Sequence, residues 1–264
     1  MKAYLLFAKN TWNEIVTYRL NFVMWRVRNL LQLLTIYLLW ATITSQSANI
    51  FGYTKAEMLT YILGASFLTA VVISSRTQEM GDNINSGDLS IFLIRPINYF
   101  GYFLSRDLGD KAMNVIFSIL EITLVYLVLK PPIFIQTNFI NLAFFIISIT
   151  LALLLNFLIG SLLGMLGFWS PEIWAPRFLM YIVLGFLSGG NFPLDIFPRQ
   201  IVNYLQLLPF TYLLYFPMKI YLGQIAFFQI IQGFLVTLIW ILFIYFILKT
   251  VWIIGLKKFG AEGR

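Results

Sequence analysis

The stretch that decides the fold is NLAFFIISITLALLLNFLIGSLLGMLGF, residues Asn141–Phe168. It contains no charged residue and is longer than the roughly 20 apolar residues that a helix needs to cross a bilayer. It therefore predicts a transmembrane helix that is long enough to tilt. The whole chain has the same character, because 60% of its residues are hydrophobic and 11% are charged, against about 25% charged residues in soluble domains.

Five further stretches have the length and composition of spanning helices. Together with Asn141–Phe168 they predict an all-α integral membrane protein with six transmembrane helices, in a single transmembrane domain of residues 1–264. The fifth span is short at its far end, and the sixth has Gly255 as its outermost limit. The five stretches are Val27–Thr44, Met58–Ser75, Ala112–Leu129, Phe178–Gly190 and Phe227–Leu248.

The segment Ile201–Pro217 is apolar enough to be considered as a seventh span. Proline breaks a continuous helix, and Pro209 interrupts this one, while Asn203 and Gln206 also lie within it. We therefore predict that it belongs to an external re-entrant segment, residues 191–224. The four prolines and many aromatic residues of that segment suit short helices at the outer interface, although a simple interfacial anchor would have a similar composition.

Lys and Arg residues predict how the helices are oriented. With the N-terminus in the cytoplasm, the inside segments hold fourteen of the 18 Lys and Arg residues. This excess follows the positive-inside rule and places both termini in the cytoplasm. Topology therefore explains the net charge of +7 better than nucleic-acid binding does. The remaining basic residues, which lie outside, are Lys55, Lys130, Arg199 and Lys219.

The N-terminal segment, residues 1–21, is amphipathic. Leu5, Ala8, Trp12 and Val16 fall on one face of a helix, with polar residues elsewhere. This pattern predicts an interfacial helix that lies in the membrane plane, and a plain cytoplasmic extension is the alternative. No small-residue cleavage site follows a short apolar core, so we expect no cleavable signal peptide.

The chain contains no His and no Cys. Their absence removes most transition-metal sites, thiol catalysis, Ser-His-Asp triads and imidazole proton relays. The G-x-x-x-x-G-K-[ST] loop that cradles ATP phosphates is also missing from the sequence. We therefore expect no catalytic residue, no metal site and no cofactor in this chain, and any ATP would have to bind to a separate protein.

The densest polar stretch is the loop of residues 76–98. Glu79, Asp82 and Asp88 are acidic on a side where basic residues are otherwise preferred. Gly87 can end a short helix, and an Arg-Pro pair ends the next one. The pattern predicts a short helix across the membrane face that is offered to a partner, and an ordinary solvated loop explains it equally well.

Glu121 is the only acidic residue near the middle of a predicted span. A carboxylate there is costly and should face the bundle interior or a cavity. Two interpretations stay open: a substrate or ion contact, or an interhelical hydrogen bond between the protonated acid and Asn156. Gly160 and Gly164 form a G-x-x-x-G pair, which predicts close helix packing rather than a substrate role.

Three stretches of the chain resemble the permeases of type-2 ABC exporters, the ABC-2 family, and most closely its six-helix subgroup of ABC-2 family transporter proteins. With the six-helix layout, the resemblance covers most of the chain. The motifs are loose hydrophobic and glycine-proline patterns, but their order and spacing are specific. They are INSGDLSIFLIRPIN (Ile84–Asn98), SGGNFPLDIFP (Ser188–Pro198) and LPFTYLLYFPMKIYLG (Leu208–Gly223).

This resemblance implies a division of labour between chains. The protein would be the permease subunit of an ATP-driven exporter in the bacterial cytoplasmic membrane. It would form the substrate pathway with a second permease, as a homodimer or a heterodimer among membrane lipids. A separate ABC ATPase subunit would bind ATP and Mg²⁺. The N-terminal helix would match the connecting helix of the family, and the segment 191–224 would cap the exit.

The resemblance also assigns candidate residues. The loop 76–98 would contain the coupling helix that docks on the ATPase, and its coupling residues would be Glu79, Asp82, Asn83, Ile84, Gly87, Asp88 and Leu89. Candidate residues of the substrate pathway are Glu121, Asn156, Phe192 and Pro193.

Two other classes of protein compete with a permease. An energy-independent channel or secondary transporter would place several ionisable groups at mid-membrane, where this sequence offers only Glu121 as an acid. A membrane-embedded lipid-modifying enzyme would have to use Asp, Glu, Lys or Ser, and the only clustered carboxylates lie in the polar loop. The composition suits a hydrophobic or amphipathic cargo, and lipids, lipid-linked glycans, peptides and drugs all fit.

Overall fold

The computed structural model describes residues 2–17, 19–45 and 49–260. Parts of the predicted N-terminal segment (residues 1 and 18) and of the predicted domain (residues 46–48 and 261–264) therefore lie outside the described residues. The described helices are α1 Lys2–Thr17, α2 Arg19–Ile43, α3 Lys55–Leu68, α4 Gln78–Asn85, α5 Leu89–Leu93, α6 Tyr99–Leu129, α7 Phe139–Gly164, α8 Trp174–Leu187, α9 Arg199–Leu205, α10 Tyr215–Tyr221 and α11 Phe227–Leu256.

A short antiparallel hairpin precedes α3. Its strands are β1, Asn49–Ile50, and β2, Tyr53–Thr54. Helix α3 then begins with a capping box, in which the Thr54 hydroxyl accepts a hydrogen bond from the Glu57 backbone N–H and the Glu57 carboxylate accepts one from the Thr54 backbone N–H. Such a box fixes the first turn of a helix because it satisfies donors that have no partner within the helix.

The fold is that of a membrane protein. Among the described residues, four stretches are long and apolar enough to cross a membrane, by length and composition. They correspond to the predicted spans that begin at Met58, Ala112, Asn141 and Phe227. The four stretches are Lys55–Asn85, Tyr99–Leu129, Phe139–Phe168 and Phe227–Leu256.

The other two predicted spans are helical but do not meet this criterion. Helix α2 has 25 residues, which is long enough, but Arg26, Arg28 and Gln32 make it more polar than the four spans. Helix α8 is apolar but has only 14 residues. It is therefore about 21 Å long, against a hydrocarbon core of about 30 Å. The six-span layout therefore stays a prediction.

No continuous helix covers Ile201–Pro217, which argues against a seventh span. The chain forms α9, then a 3₁₀ turn at Pro209–Tyr212, then α10. Each proline of this region stands next to or within a short element, where its missing N–H and fixed φ are tolerated. The segment 191–224 is thus a series of short helices, as its prolines predict.

Helix α1 lies against α6. The indole N–H of Trp12 donates to the Gly109 carbonyl oxygen at 2.7 Å, and Ile15 is buried. Leu5 and Val16, two members of the apolar face predicted from the sequence, are exposed. They are therefore placed where lipid could cover them, while other side chains of α1 make the contact with the bundle.

Helix α3 ends in a π-helical turn, Thr69–Ile73. The buried ammonium of Lys111 donates to the carbonyl oxygens of Val71 at 3.0 Å and Val72 at 3.2 Å, and to that of Ser74. Lys111 also forms an ion pair with Asp107 at 3.4 Å. Because the last carbonyls of a helix lack partners within it, Lys111 acts as a cap that ends α3 and turns the chain toward α4.

Candidate functional site

A cavity of about 730 Å³ runs along one side of α2. Its walls come from α1, α2, α3 with its π-helical turn, α6 and α8. Glu14, Arg76 and Gln78 line one end, and Gly190 and Asn191 line the other. The cavity therefore extends from the end of the bundle that carries α4 toward the end that carries the segment 191–224.

One face of α2 forms a wall of this cavity. Asn21, Trp25, Asn29, Gln32 and Ile36 line the cavity and recur at intervals of three or four residues. This spacing places side chains on a single helical face. Asn21, Asn29 and Gln32 thus face a cavity rather than lipid, which is where polar groups are tolerated in a membrane helix.

Helix α6 supplies a second polar wall, where Glu121 is paired with an arginine of α2. The Arg26 Nε lies 2.7 Å from Glu121 Oε1. The Arg26 guanidinium also donates to Asn114 Oδ1 and Ser118 Oγ, both at 3.3 Å. Arg26 is only 6% exposed, so its charge is balanced within the bundle. The interhelical partner of Glu121 is therefore Arg26 and not the suggested Asn156, whose amide donates to the Ile73 carbonyl oxygen at 3.4 Å.

Only Glu121 among the four candidate pathway residues lines the cavity. Asn156 holds the end of the π-helical turn. Phe192 packs edge-to-face with Phe186 and Phe197, and Pro193 is buried. The polar face of α2 was missed in the sequence, although its i, i+4 spacing was a signal that could have revealed it.

Ion pairs join three helices at the α4 end of the cavity. Arg76 lies 2.9 Å from Glu79, 3.3 Å from Asp110 and 3.6 Å from Glu14. Arg106 lies 3.1 Å from Glu79 and also pairs with Glu14. These five residues, the cavity-end ion network, connect α1, α4 and α6. Because Glu79 has two arginine partners inside the chain, it is less available to a separate protein than its sequence position suggests.

The seven candidate coupling residues divide by exposure. Ile84, Gly87 and Leu89 are buried, Asn83 is half-buried and Glu79 belongs to the cavity-end ion network. Asp82 and Asp88 are exposed. Next to them, α5 and the residues that follow it expose Ile91, Leu93 and Ile94, the last at 83%. We name the exposed residues Asp82, Asp88, Ile91, Leu93 and Ile94 the α4–α5 surface.

Helix α4 packs closely against the end of α7 and against the 3₁₀ turn that follows it, Met165–Phe168. A Cβ atom at Gly167 would lie 2.9 Å from the Gly81 carbonyl oxygen and 3.1 Å from the Gly81 Cα. One at Gly164 would lie 2.9 Å from the Met80 Cβ, and one at Gly160 would overlap the hydroxyl of Thr77. The predicted close packing at the G-x-x-x-G pair is therefore present, and the partner is α4.

Polar contacts hold α4 in the same place. The Arg177 guanidinium donates to the Thr77 carbonyl oxygen at 3.0 Å, and the Asn85 amide donates to the Pro171 carbonyl oxygen at 2.9 Å. The Tyr99 hydroxyl donates to the Met80 carbonyl oxygen at 3.2 Å. Since these bonds come from both ends of α4, the helix cannot tilt away from the bundle without breaking several of them.

A polar cluster ties the segment 191–224 to the start of α3. Asp195 accepts hydrogen bonds from the hydroxyls of Tyr53 at 2.5 Å and Tyr215 at 2.8 Å, and pairs with Lys219 at 3.3 Å. Burial, with the Asp195 charge as a further cause, raises the pKa of Tyr53 and Tyr215. Burial lowers the pKa of the Lys219 ammonium, and Asp195 opposes that change.

Replacing Asp195 with asparagine should lower the free energy of unfolding by about 1 kcal/mol. Asparagine offers one acceptor oxygen, whereas Asp195 uses a separate oxygen for each tyrosine hydroxyl. Lys219 also loses its counter-charge, although it keeps the 2.8 Å bond to Gln224. Thermal unfolding of the purified protein would measure the change. The matched control is Arg199→Gln, an exposed charge in the same segment, which should stay within about 0.5 kcal/mol of the parent. Equal effects of the two variants would contradict the assignment.

The described residues bring together no group of three or more acidic side chains that could hold a metal ion. What they do form is a bundle of membrane-length helices with a polar cavity along one side of α2.

The family of this chain follows from a sequence comparison. Residues 30–263 match the family model described as ABC-2 family transporter protein, and the chain therefore belongs to that family. Its members are membrane permeases of ABC transporters, which are transport subunits rather than enzymes and act in general with an ABC ATPase. A search of curated protein sequences finds no match.

Proposed function

We propose that this chain is the permease subunit of an ATP-driven exporter and crosses a bacterial cytoplasmic membrane six times. The spans are α2, α3, α6, α7, α8 and α11, and both termini are cytoplasmic. The distribution of Lys and Arg supports this orientation. The length of α2 and its one-sided polarity support its role as a span that faces a pathway.

The α4 end of the bundle is then cytoplasmic, and α4 is the coupling helix. The observation that carries this assignment is that α4 is fixed to the bundle on one side and exposed on the other. Its buried side meets Gly164 and Gly167, whereas Asp82 is exposed. A short helix that is anchored in this way can pass on a force applied to its exposed side.

The ATPase is a separate subunit, which binds ATP and Mg²⁺. Two permease chains, identical or related, work with two ATPase subunits. The α4–α5 surface suits such a subunit because it combines exposed apolar side chains with two carboxylates, the usual composition of an interface core and its rim. The lipid-facing sides of the remaining helices lie in the bilayer.

Transport then depends on one two-state element, the helix bundle around the cavity. When ATP draws the ATPase subunits together, they move the α4–α5 surface. The cavity-end ion network passes this motion to α1 and α6, which wall the cavity. The cavity changes from open at the α4 end to open toward the segment 191–224. Coupling of this kind requires that both sites bias the same equilibrium.

Reversing both exposed charges, Asp82→Arg with Asp88→Arg, should lower co-purification of the ATPase at least several-fold while membrane insertion is unchanged. The physical reason is that like charges placed in an interface cost several kcal/mol. Quantitative pull-down of the tagged chain from its native membrane would measure the ratio of ATPase to permease.

The control for this variant is Lys55→Glu, a charge reversal at an exposed residue near the opposite end of the bundle. It should leave the ATPase ratio unchanged. An unchanged ratio in the Asp82 and Asp88 variant would refute the docking assignment. Proton- or sodium-driven transport by the chain alone would instead favour a secondary transporter.

A further inference from the structure

The charged groups that line the cavity are largely balanced within the chain. Glu14, Arg76 and Asp110 belong to the cavity-end ion network, and Glu121 pairs with Arg26. A charged ligand at these positions would have to compete with an existing partner. Pairing in this way removes the charges as recognition groups and leaves the neutral polar groups to contact a ligand.

Several neutral hydrogen-bonding side chains of the cavity have no protein partner. In the part of the chain that the structure describes, the side chains of Asn21, Asn29, Gln32 and Ser66 line the cavity and make no hydrogen bond to another residue. Each amide offers two donors and one acceptor with two lone pairs, side by side. These groups are therefore available to a ligand that is both donor and acceptor.

Aromatic rings stand among these amides. Phe22, Trp25, Phe67 and Tyr181 all line the cavity. Arg28 lines it too, and its guanidinium lies 5.8 Å from the centre of the Trp25 ring. The walls thus combine flat apolar surfaces with neutral amides, and they leave one cation that interacts with an aromatic face.

We propose that this cavity holds an uncharged, hydroxyl-rich group of the sugar type, which is the polar part of the transported molecule. A hydroxyl is both donor and acceptor and so matches adjacent amide donors and acceptors. A ring with an apolar face can pack on an aromatic side chain. A wholly apolar ligand would leave the amides desolvated and unpaired, which a site built for hydroxyl groups rejects strongly.

The size of the cavity agrees with a group of a few sugar rings. Its volume of about 730 Å³ lies within the roughly 300–1,000 Å³ of sites for drug-sized ligands. The inference rests on the proposed function, because it takes the cavity as the cargo pathway. The same chemistry is present in a free sugar and in the headgroup of a glycolipid, and the experiment separates these sources.

The test measures binding by the full-length chain, with whatever ATPase co-purifies, in phosphatidylcholine nanodiscs. The probes are a neutral diglucosyl diacylglycerol, phosphatidylglycerol with the same acyl chains, and free maltose. We expect the diglucosyl lipid to bind at least tenfold more tightly than phosphatidylglycerol, which is the competitor that Arg28 would favour. Competition by maltose would show that the sugar alone suffices, and its failure would show that the lipid tail contributes.

Variants of the amides identify the binding site. Gln32→Leu and Asn29→Leu should each weaken binding of the diglucosyl lipid about tenfold, the effect of one lost hydrogen bond. Gln32 is exposed to the cavity, so the leucine does not alter packing inside the bundle. The matched control is Gln232→Leu, the same change at an exposed amide of α11 outside the cavity. It should bind like the parent, and thermal unfolding would confirm that all three variants are folded.

Two results would overturn the inference: phosphatidylglycerol binding as tightly as the diglucosyl lipid, or Gln32→Leu and Asn29→Leu leaving the affinity unchanged. The proposed function is tested by a different result, the capture of an ATPase. A chain that captures an ATPase but shows no headgroup preference refutes only the sugar site. A chain that binds the diglucosyl lipid but captures no ATPase refutes the exporter.

Discussion

Replacing Glu121 with leucine is expected to lower the free energy of unfolding by about 3 kcal/mol. The variant leaves the Arg26 guanidinium buried and without a counter-charge, and breaking a buried ion pair from one side costs about 3–5 kcal/mol. The lower end of that range applies because Asn114 and Ser118 still accept hydrogen bonds from Arg26. Thermal or denaturant unfolding of the protein in detergent would measure the loss.

The double variant Arg26→Leu with Glu121→Leu is the control. Replacing both members of a buried ion pair by apolar residues is often neutral, so most of the lost stability should return. The difference between the double variant and the sum of the single variants gives the interaction energy of the pair. Additive losses would show that Glu121 does not balance Arg26, and the electrostatic description of the cavity would then be wrong.

Replacing Gly167 with alanine is expected to displace α4 and to uncouple the permease from its ATPase. The added methyl group would stand 2.9 Å and 3.1 Å from backbone atoms of Gly81, which cannot move aside as a flexible side chain would. Overpacking of this kind costs about 1–3 kcal/mol. We expect unfolding to be easier by that amount and the ratio of co-purified ATPase to fall several-fold, because the α4–α5 surface shifts.

Gly185→Ala is the matched control, since it adds the same methyl group to a helical glycine of α8. The nearest atom there, the Asn191 side-chain nitrogen, is at an ordinary contact distance of 3.5 Å. Stability and the ATPase ratio should match those of the parent protein. If Gly167→Ala behaved in the same way, α4 would be mobile against α7, and the proposed transmission of force through this contact would be excluded.

The most apolar helices could be predicted from the sequence. Every face of such a helix meets lipid or the protein core, so the mean hydropathy of a sequence window describes its surroundings correctly. This is why α6, α7 and α11 have counterparts among the predicted spans. Helix α2 was also predicted as a span, over Val27–Thr44, but it is more polar than those helices. A mean hydropathy taken along α2 combines Asn29 and Gln32, which face a cavity, with Leu31, which is exposed. It therefore hides the difference between the two faces of the helix.

The partners of the polar residues were beyond the reach of sequence reasoning for a different reason. Glu121 and Arg26 are far apart along the chain and belong to different helices, so no local pattern connects them. The same holds for Glu79 and Arg106, which turn a candidate contact with the ATPase into an internal ion pair. By contrast, the close approach at Gly164 was predictable. Small residues one turn apart on a helix indicate close packing, and this holds without knowing which element is the partner.

The shortness of α8 also dictates the order in which the chain can be assembled. The backbone beyond Leu187 leaves the helix, and its carbonyls find partners on other elements: Ser188 with the Tyr215 amide, Gly189 with the Tyr61 hydroxyl, and Asn191 with the Trp40 indole. Non-helical backbone is stable at membrane depth only when it is covered by protein. We therefore expect this part of the chain to reach its final position only after α10 has been synthesised, because Tyr215 of α10 supplies one of these partners.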